Sequence, residues 1–293
     1  MSEDNYWLRR VRQGSMTRRR FVGGAAIAGA GVATLGLVGC GDDDDGGTAT
    51  PAASGTAATG TGTAATGTAT QAANTPKKGG TARFVSANNT WDTFDVDRSR
   101  FSPVASLMGY TNLGVLHYKS YNKGELEGAM AEKWEQADPL TLNLKLRPNV
   151  FWHNKPPVNG RQATAADIVA FIERNKAGKL QDGSDDPNFY RKALYGKVAS
   201  VTSPDAKTVQ VKFSAPDPFF IETLAGSYAK VQAPEAVKQF EKEYNNLRPE
   251  LVIGTGGFVL KEFAAEGRSS WTRHEKYHAQ VNLDGIEWQP LFT

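Results

Sequence analysis

Leu140-Thr141-Leu142-Asn143-Leu144-Lys145-Leu146-Arg147 alternates apolar and polar residues without a break. A period of two puts all four leucines on one face, so the stretch predicts a half-buried β-strand with its leucines turned inward. Downstream, past Pro148 and a loop rich in Asn, Pro and Gly, Thr164-Ala165-Ala166-Asp167 has the spacing of a capping box. It predicts a helix start, with Ile168, Val169, Phe171 and Ile172 as the apolar stripe, and Asp167 is read as a cap rather than a catalytic acid. Thr208 to Phe213 alternates again, with Val209, Val211 and Phe213 on one side. Pro234 to Tyr244 predicts a short amphipathic helix opened by proline, and Phe258 to Phe263 and Asp284 to Gln289 predict two more strands. Strands and helices are interleaved, so the class is α/β or α+β. Trp134, Trp152, Phe171 and Phe213 are assigned to the core, because large aromatics dominate burial in a domain of this size.

The N-terminus carries a different message. Thr17-Arg18-Arg19-Arg20-Phe21-Val22 matches a twin-arginine export signal through Arg18 and Arg19. An uncharged run to Val38 follows, and Leu37-Val38-Gly39-Cys40 resembles a lipoprotein cleavage site. The run is long enough to cross a bilayer, but it is glycine-rich and ends at the sole cysteine. Cys40 has no partner for an internal disulfide, so a thioether to diacylglycerol is its expected chemistry. The expected location is extracytoplasmic, anchored to the cell membrane by lipidated Cys40.

The formal charge of +3 is a property of that signal. Residues 1–39 hold six Lys/Arg against two Asp/Glu, which leaves 28 against 29 from Cys40 onward. A near-neutral mature chain excludes an electrostatic case for nucleic acid. Residues 41–78 open on four aspartates and continue in Gly, Thr and Ala, a composition that predicts a tether rather than a packed domain.

One motif points to an enzyme. His274-Glu275-Lys276-Tyr277-His278 fits H-E-x-x-H, in which a helix brings two histidines to one zinc and the glutamate activates water. Only Asp284 and Glu287 follow as carboxylates, and His117 and His153 lack metal-ligand spacing. A zinc metallohydrolase using His274, Glu275 and His278 is therefore the alternative, and a binding or scaffold lipoprotein without transport is a second. No serine stands in G-x-S-x-G, and Gly254-Thr255-Gly256-Gly257 lacks the ending of a phosphate loop, so its glycines are read as permitting a turn or close packing.

Taken in order, Ala131-Glu132-Lys133-Trp134, the strand ending at Arg147, Phe151-Trp152, Ala163 to Val169, Val209 to Phe220, and Ile253 to Phe263 resemble bacterial extracellular solute-binding proteins of family 5. These are the receptors of peptide, nickel and related ABC importers. Thr93-Phe94-Asp95-Val96-Asp97 stands where the family commonly has Leu-Asp-Pro. The resemblance implies an α/β fold of type II periplasmic-binding-protein lobes, a mixed sheet with flanking helices. It implies a first domain of residues 79–110 and 218–293 and a smaller one of 111–217, with the second large lobe missing beyond Thr293. It further implies no catalytic residue, metal or cofactor. The implied partners are a peptide or other small solute and an ABC permease, and the receptor is expected to be a monomer. Arg100, Phe101, Ser102 and Phe258 are the implied ligand-facing positions. Phe258 stands where the family has tyrosine, so it lacks the hydroxyl.

Overall fold

The computed structural model describes residues 76–86 and 90–291. Arg18, Arg19, Cys40 and residues 41–75 of the tether lie outside the described residues. In chain order the first elements are β1 (Thr81–Ser86), α1 (Ser102–Thr111), β2 (Leu116–Ser120), β3 (Glu125–Gly128), β4 (Ala131–Asp138) and β5 (Thr141–Leu146). They are followed by α2 (Ala165–Ala177), β6 (Val198–Asp205), β7 (Thr208–Phe213), α3 (Phe220–Ala225), α4 (Pro234–Phe240), β8 (Phe258–Glu262), β9 (Ser269–Arg273) and β10 (Gly285–Pro290).

The leucine strand is β5, inside an antiparallel sheet of order β4-β5-β7-β6. Its register sets Leu142 against Val211 and Leu144 against Val209, so the apolar sets of two alternating strands share one face. Leu142, Leu144 and Leu146 are buried, whereas Leu140 is 41% exposed. Leu140 falls in the turn between β4 and β5, where its N–H donates to the Asp138 carboxylate at 2.7 Å, so the period of two starts one residue later than the leucine pattern suggests.

Helix α2 covers the buried face with Ile168, Phe171 and Ile172. Asp167 accepts the Thr164 backbone N–H at 2.8 Å, as the capping reading requires. The helix ends at Gly178, in the left-handed region at φ 60°. Trp152, Phe171 and Phe213 are buried in the same cluster, while Trp134 is half-buried on the edge strand β4.

A second sheet runs β1-β10-β9-β8, with β1 parallel to β10 and the other pairs antiparallel. It packs with α1 around Phe94, Leu107, Met108, Leu260, Trp271 and Ile286. The predicted helix from Pro234 stops at Phe240. Ala236 faces the first core and Tyr244 the second, so the chain turns between them instead of continuing one amphipathic stripe.

The two cores are joined by charge. Arg174 of α2 contacts Asp95 at 2.5 Å, Asp97 at 2.6 Å and Glu241 at 2.9 Å, and all four side chains are nearly excluded from solvent. Burial pulls the Arg174 pKa down, but the Asp95, Asp97 and Glu241 carboxylates outweigh it and hold the group well above its usual range. Burial raises Asp97 to about 6 against the pull of Arg174, with a further push from Asp95. The acidic segment near the start of the domain is thus a clamp on the far end of α2.

Candidate functional site

Arg100-Phe101-Ser102 leads into α1, with Pro103 in the first turn. Arg100 and Ser102 are exposed and Phe101 is half-buried. Neighbouring loops hold the segment in place. Tyr228 donates its hydroxyl to the Arg100 carbonyl at 3.0 Å, Arg191 donates to the Ser99 carbonyl at 2.8 Å, and the Arg191 guanidinium lies 3.5 Å from the Tyr228 ring centre. The Arg100 guanidinium sits 5.9 Å from the Tyr190 ring centre.

Beside this segment is a concavity of about 330 Å³, bordered by Ser102, Ser106, Gly109, Tyr121, Tyr228 and Lys230. Tyr228 also borders an adjoining hollow of about 350 Å³ with Arg191, Leu194 and Phe219. Tyr121 is 69% exposed and stacks on Tyr118 with 4.7 Å between ring centres. Lys230 is half-buried, burial lowers its pKa, and its ammonium has no hydrogen bond or ion pair among the described residues. A half-desolvated ammonium without a counter-ion, next to hydroxyls and rings, suits a carboxylate with an apolar body behind it. Sequence reasoning missed Lys230, Tyr121 and Tyr228, because nothing in the local pattern separates Lys230 from the chain's other cations.

Phe258 lies apart from that concavity. It opens β8, two residues past Gly256, whose N–H donates to the Thr111 carbonyl at 2.8 Å. Phe258 thus sits near the C-terminal end of α1 and Ser102 at its N-terminal end, so a helix length of about 14 Å separates them.

Residues 274–278 form the turn after β9, not a helix. The two imidazoles of the H-E-x-x-H pattern are therefore not stacked one helical turn apart. His274 instead meets His153, edge to face with ring centres 4.8 Å apart. His274 Nδ1 is 3.1 Å and His153 Nε2 3.3 Å from the Gly256 carbonyl, while His153 Nδ1 accepts the Gly254 N–H at 3.2 Å. A carbonyl can only accept, so the neutral His153 tautomer with its proton on Nε2 satisfies every contact. Burial, and then the charge of His274, push His153 down to about 3. Among the described residues no group of three or more His, Cys, Asp or Glu could hold a metal ion, and no helix is long and apolar enough to cross a membrane.

Residues 125–292 match the sequence profile of bacterial extracellular solute-binding proteins, family 5, middle region, and the chain belongs to that family. A dipeptide-binding protein of Escherichia coli (strain K12) is 30% identical over 164 residues, or 52% of this chain and 30% of that protein. The dipeptide-binding protein DppE of Bacillus subtilis (strain 168) is 25% identical over 227 residues, or 70% of this chain and 38% of that protein. The periplasmic binding protein DppA from Helicobacter pylori, solved with the peptide STSA, superposes with a TM-score of 0.62 at 18% identity, over 74% of this chain and 43% of that one. The fold is the α/β fold of type II periplasmic binding proteins. The chain spans less than half the length of each of these proteins.

Proposed function

We propose that this chain is the solute-binding lipoprotein of an ABC importer, which captures a peptide or similar small solute outside the membrane and passes it to a permease. The family match over residues 125–292 carries this reading. The relatives named as dipeptide-binding proteins support a peptide as ligand and a role without catalysis. The receptor works as a monomer. The lobe division, 79–110 with 218–293 against 111–217, is supported by the sheets: β1 joins β8 to β10 in one, and β4 to β7 form another.

Arg100, Phe101 and Ser102 face the ligand together with Tyr228 and Lys230, and Phe258 serves a separate contact. Lys230 receives the ligand's carboxylate. Titration calorimetry with a panel of dipeptides tests this. Lys230→Met is expected to weaken binding about tenfold or more, the loss of one charge-assisted hydrogen bond. C-terminally amidated peptides should show no such difference. Equal affinity of Lys230→Met and the parent for the free acids would remove Lys230 from the site.

The export signal at Arg18 and Arg19 and the cleavage site at Cys40 support a lipid anchor. Cys40→Ala should shift the protein from the membrane to the soluble fraction and remove the diacylglycerol mass from its N-terminal peptide. A membrane-bound Cys40→Ala protein would contradict the anchor.

A further inference from the structure

A cavity of about 580 Å³ lies on the outer side of the β8–β9 hairpin and shares no bordering residue with the Tyr228 concavity. Leu260 and Trp271 pair across the hairpin and pack in the second core. Their neighbours Val259 and Thr272, also paired, therefore point outward, and both border the cavity. Lys261 follows at a bulge, exposed and on the same border. The loop after Trp152 adds Asn154 and Lys155, and the turn after β9 adds Glu275 and Lys276.

The border carries an excess of positive charge. Lys155 Nζ donates to the carbonyls of Pro249 at 2.8 Å, Val252 at 3.2 Å and Leu260 at 2.9 Å, which uses its three protons and neutralises none of its charge. Burial, and then the charge of Lys261, push the Lys155 pKa down to about 8, and Glu250 attracts it less than Lys261 repels it. Glu250 is engaged by Arg248 at 3.5 Å. The ammonium groups of Lys261 and Lys276 form no ion pair among the described residues. Glu275 and Asp284 are both engaged by Arg273, at 3.3 and 3.1 Å. Four cations, Lys155, Lys261, Arg273 and Lys276, thus stand against two carboxylates, a surplus of two. A concavity focuses such a field, and a dianion that reaches the two free ammonium groups cancels it.

We propose that this cavity is a second small-molecule site, taking a dianionic phosphate ester held by the ammonium groups of Lys261 and Lys276. It is independent of the transport reading and of Lys230. The probe is glycerol 3-phosphate, titrated into the full chain at pH 7.5 and constant ionic strength with NMR detection, and acetate is the monoanion control. Saturable amide shifts centred on Val259 and Thr272 are expected, with a Kd of about 1 mM or tighter. Acetate should bind at least tenfold more weakly. Lys261→Gln and Lys276→Gln, both at exposed positions, should each weaken binding about tenfold, the loss of one charge-assisted hydrogen bond. Lys212→Gln, at an exposed lysine on the other sheet, should leave it unchanged, and Glu275→Gln, which removes a carboxylate from the border, should tighten it. Vesicles of phosphatidic acid in phosphatidylcholine that displace the probe, where phosphatidylcholine alone does not, identify the ester as a lipid headgroup; no displacement identifies it as a free solute. Absence of saturable shifts at Val259 and Thr272 in the unsubstituted chain overturns the proposal without reference to any variant. Acetate that binds equally well, Lys261→Gln and Lys276→Gln proteins that bind like the parent, an equal loss in Lys212→Gln, or weaker binding by Glu275→Gln overturns it too.

Discussion

Arg174 ties the start of the domain and the segment after α4 to helix α2. Three carboxylates converge on it at 2.5 to 2.9 Å in a region closed to water. Removing one partner of such a cluster leaves charges buried and uncompensated, which costs about 3–5 kcal/mol. Arg174→Met should therefore lower the urea midpoint at pH 7 by that equivalent, and a shift under about 1 kcal/mol would show the clamp to be dispensable. Asp97 responds to pH in a definite direction. Its folded pKa of about 6 lies above its ordinary value, so the folded state holds its proton more tightly than the unfolded chain does. The stability that Asp97 contributes is present at acid pH and lost as pH rises from about 4 to about 6. Asp97→Asn removes this loss while keeping an oxygen toward Arg174. Its stability relative to the parent should rise across that interval, and a difference independent of pH would mean that Asp97 does not titrate there.

Between the elements, the tightest fit is that of the 254–257 segment under the C-terminal end of α1. A Cβ on Gly254 would stand 1.8 Å from the Thr111 carbonyl oxygen, and one on Gly256 would stand 2.6 Å from the Tyr110 carbonyl oxygen. A Cβ on Gly257 would meet side chains only, the tip of Val281 at 3.3 Å and the Tyr277 ring at 3.7 Å. Overpacking against backbone typically costs about 1–3 kcal/mol or more. Gly254→Ala should lower the thermal midpoint markedly and Gly257→Ala much less; equal effects would show that backbone proximity is not what selects glycine. Close packing by these glycines was legible in the sequence, as were β5, β7 and α2, because each buries one face against a polar other. β4 and β6 were not, since both are edge strands with few buried positions and so carry no alternation of apolar side chains. α1 escaped for the opposite reason. It is buried at Pro103, Val104, Ala105, Leu107, Met108 and Thr111, nearly all round, and begins at Phe101 without a polar cap. Of the residues that the family pattern suggested, only Ser102 borders the concavity. Lys230 and Tyr228 lie about 130 residues further on, and only the folded chain brings them alongside.

For the whole molecule, acid should be damaging, and the imidazoles say why. His153 and His274 are buried and His278 is half-buried, and burial lowers the pKa of each, to about 3 for His153 and about 4 for His278. In the unfolded chain the same groups titrate near 6.5. Their contribution to stability is therefore complete above about pH 6.5 and is lost as pH falls toward the folded values. Asp97 acts the other way between about 4 and 6, but it is one group against three. His153 sets the largest share, because it is fully buried and both of its nitrogens are committed in the neutral form. Between pH 6.5 and 5 it alone should account for about 2 kcal/mol. Urea unfolding at pH 7.5, 6.5 and 5 should show stability falling over the last step. His153→Gln should flatten that fall, whatever it costs in absolute stability, since glutamine has no proton to take up. A parent protein as stable at pH 5 as at pH 7.5, or a His153→Gln variant with the same slope, would show that the paired imidazoles take up protons without opening the fold.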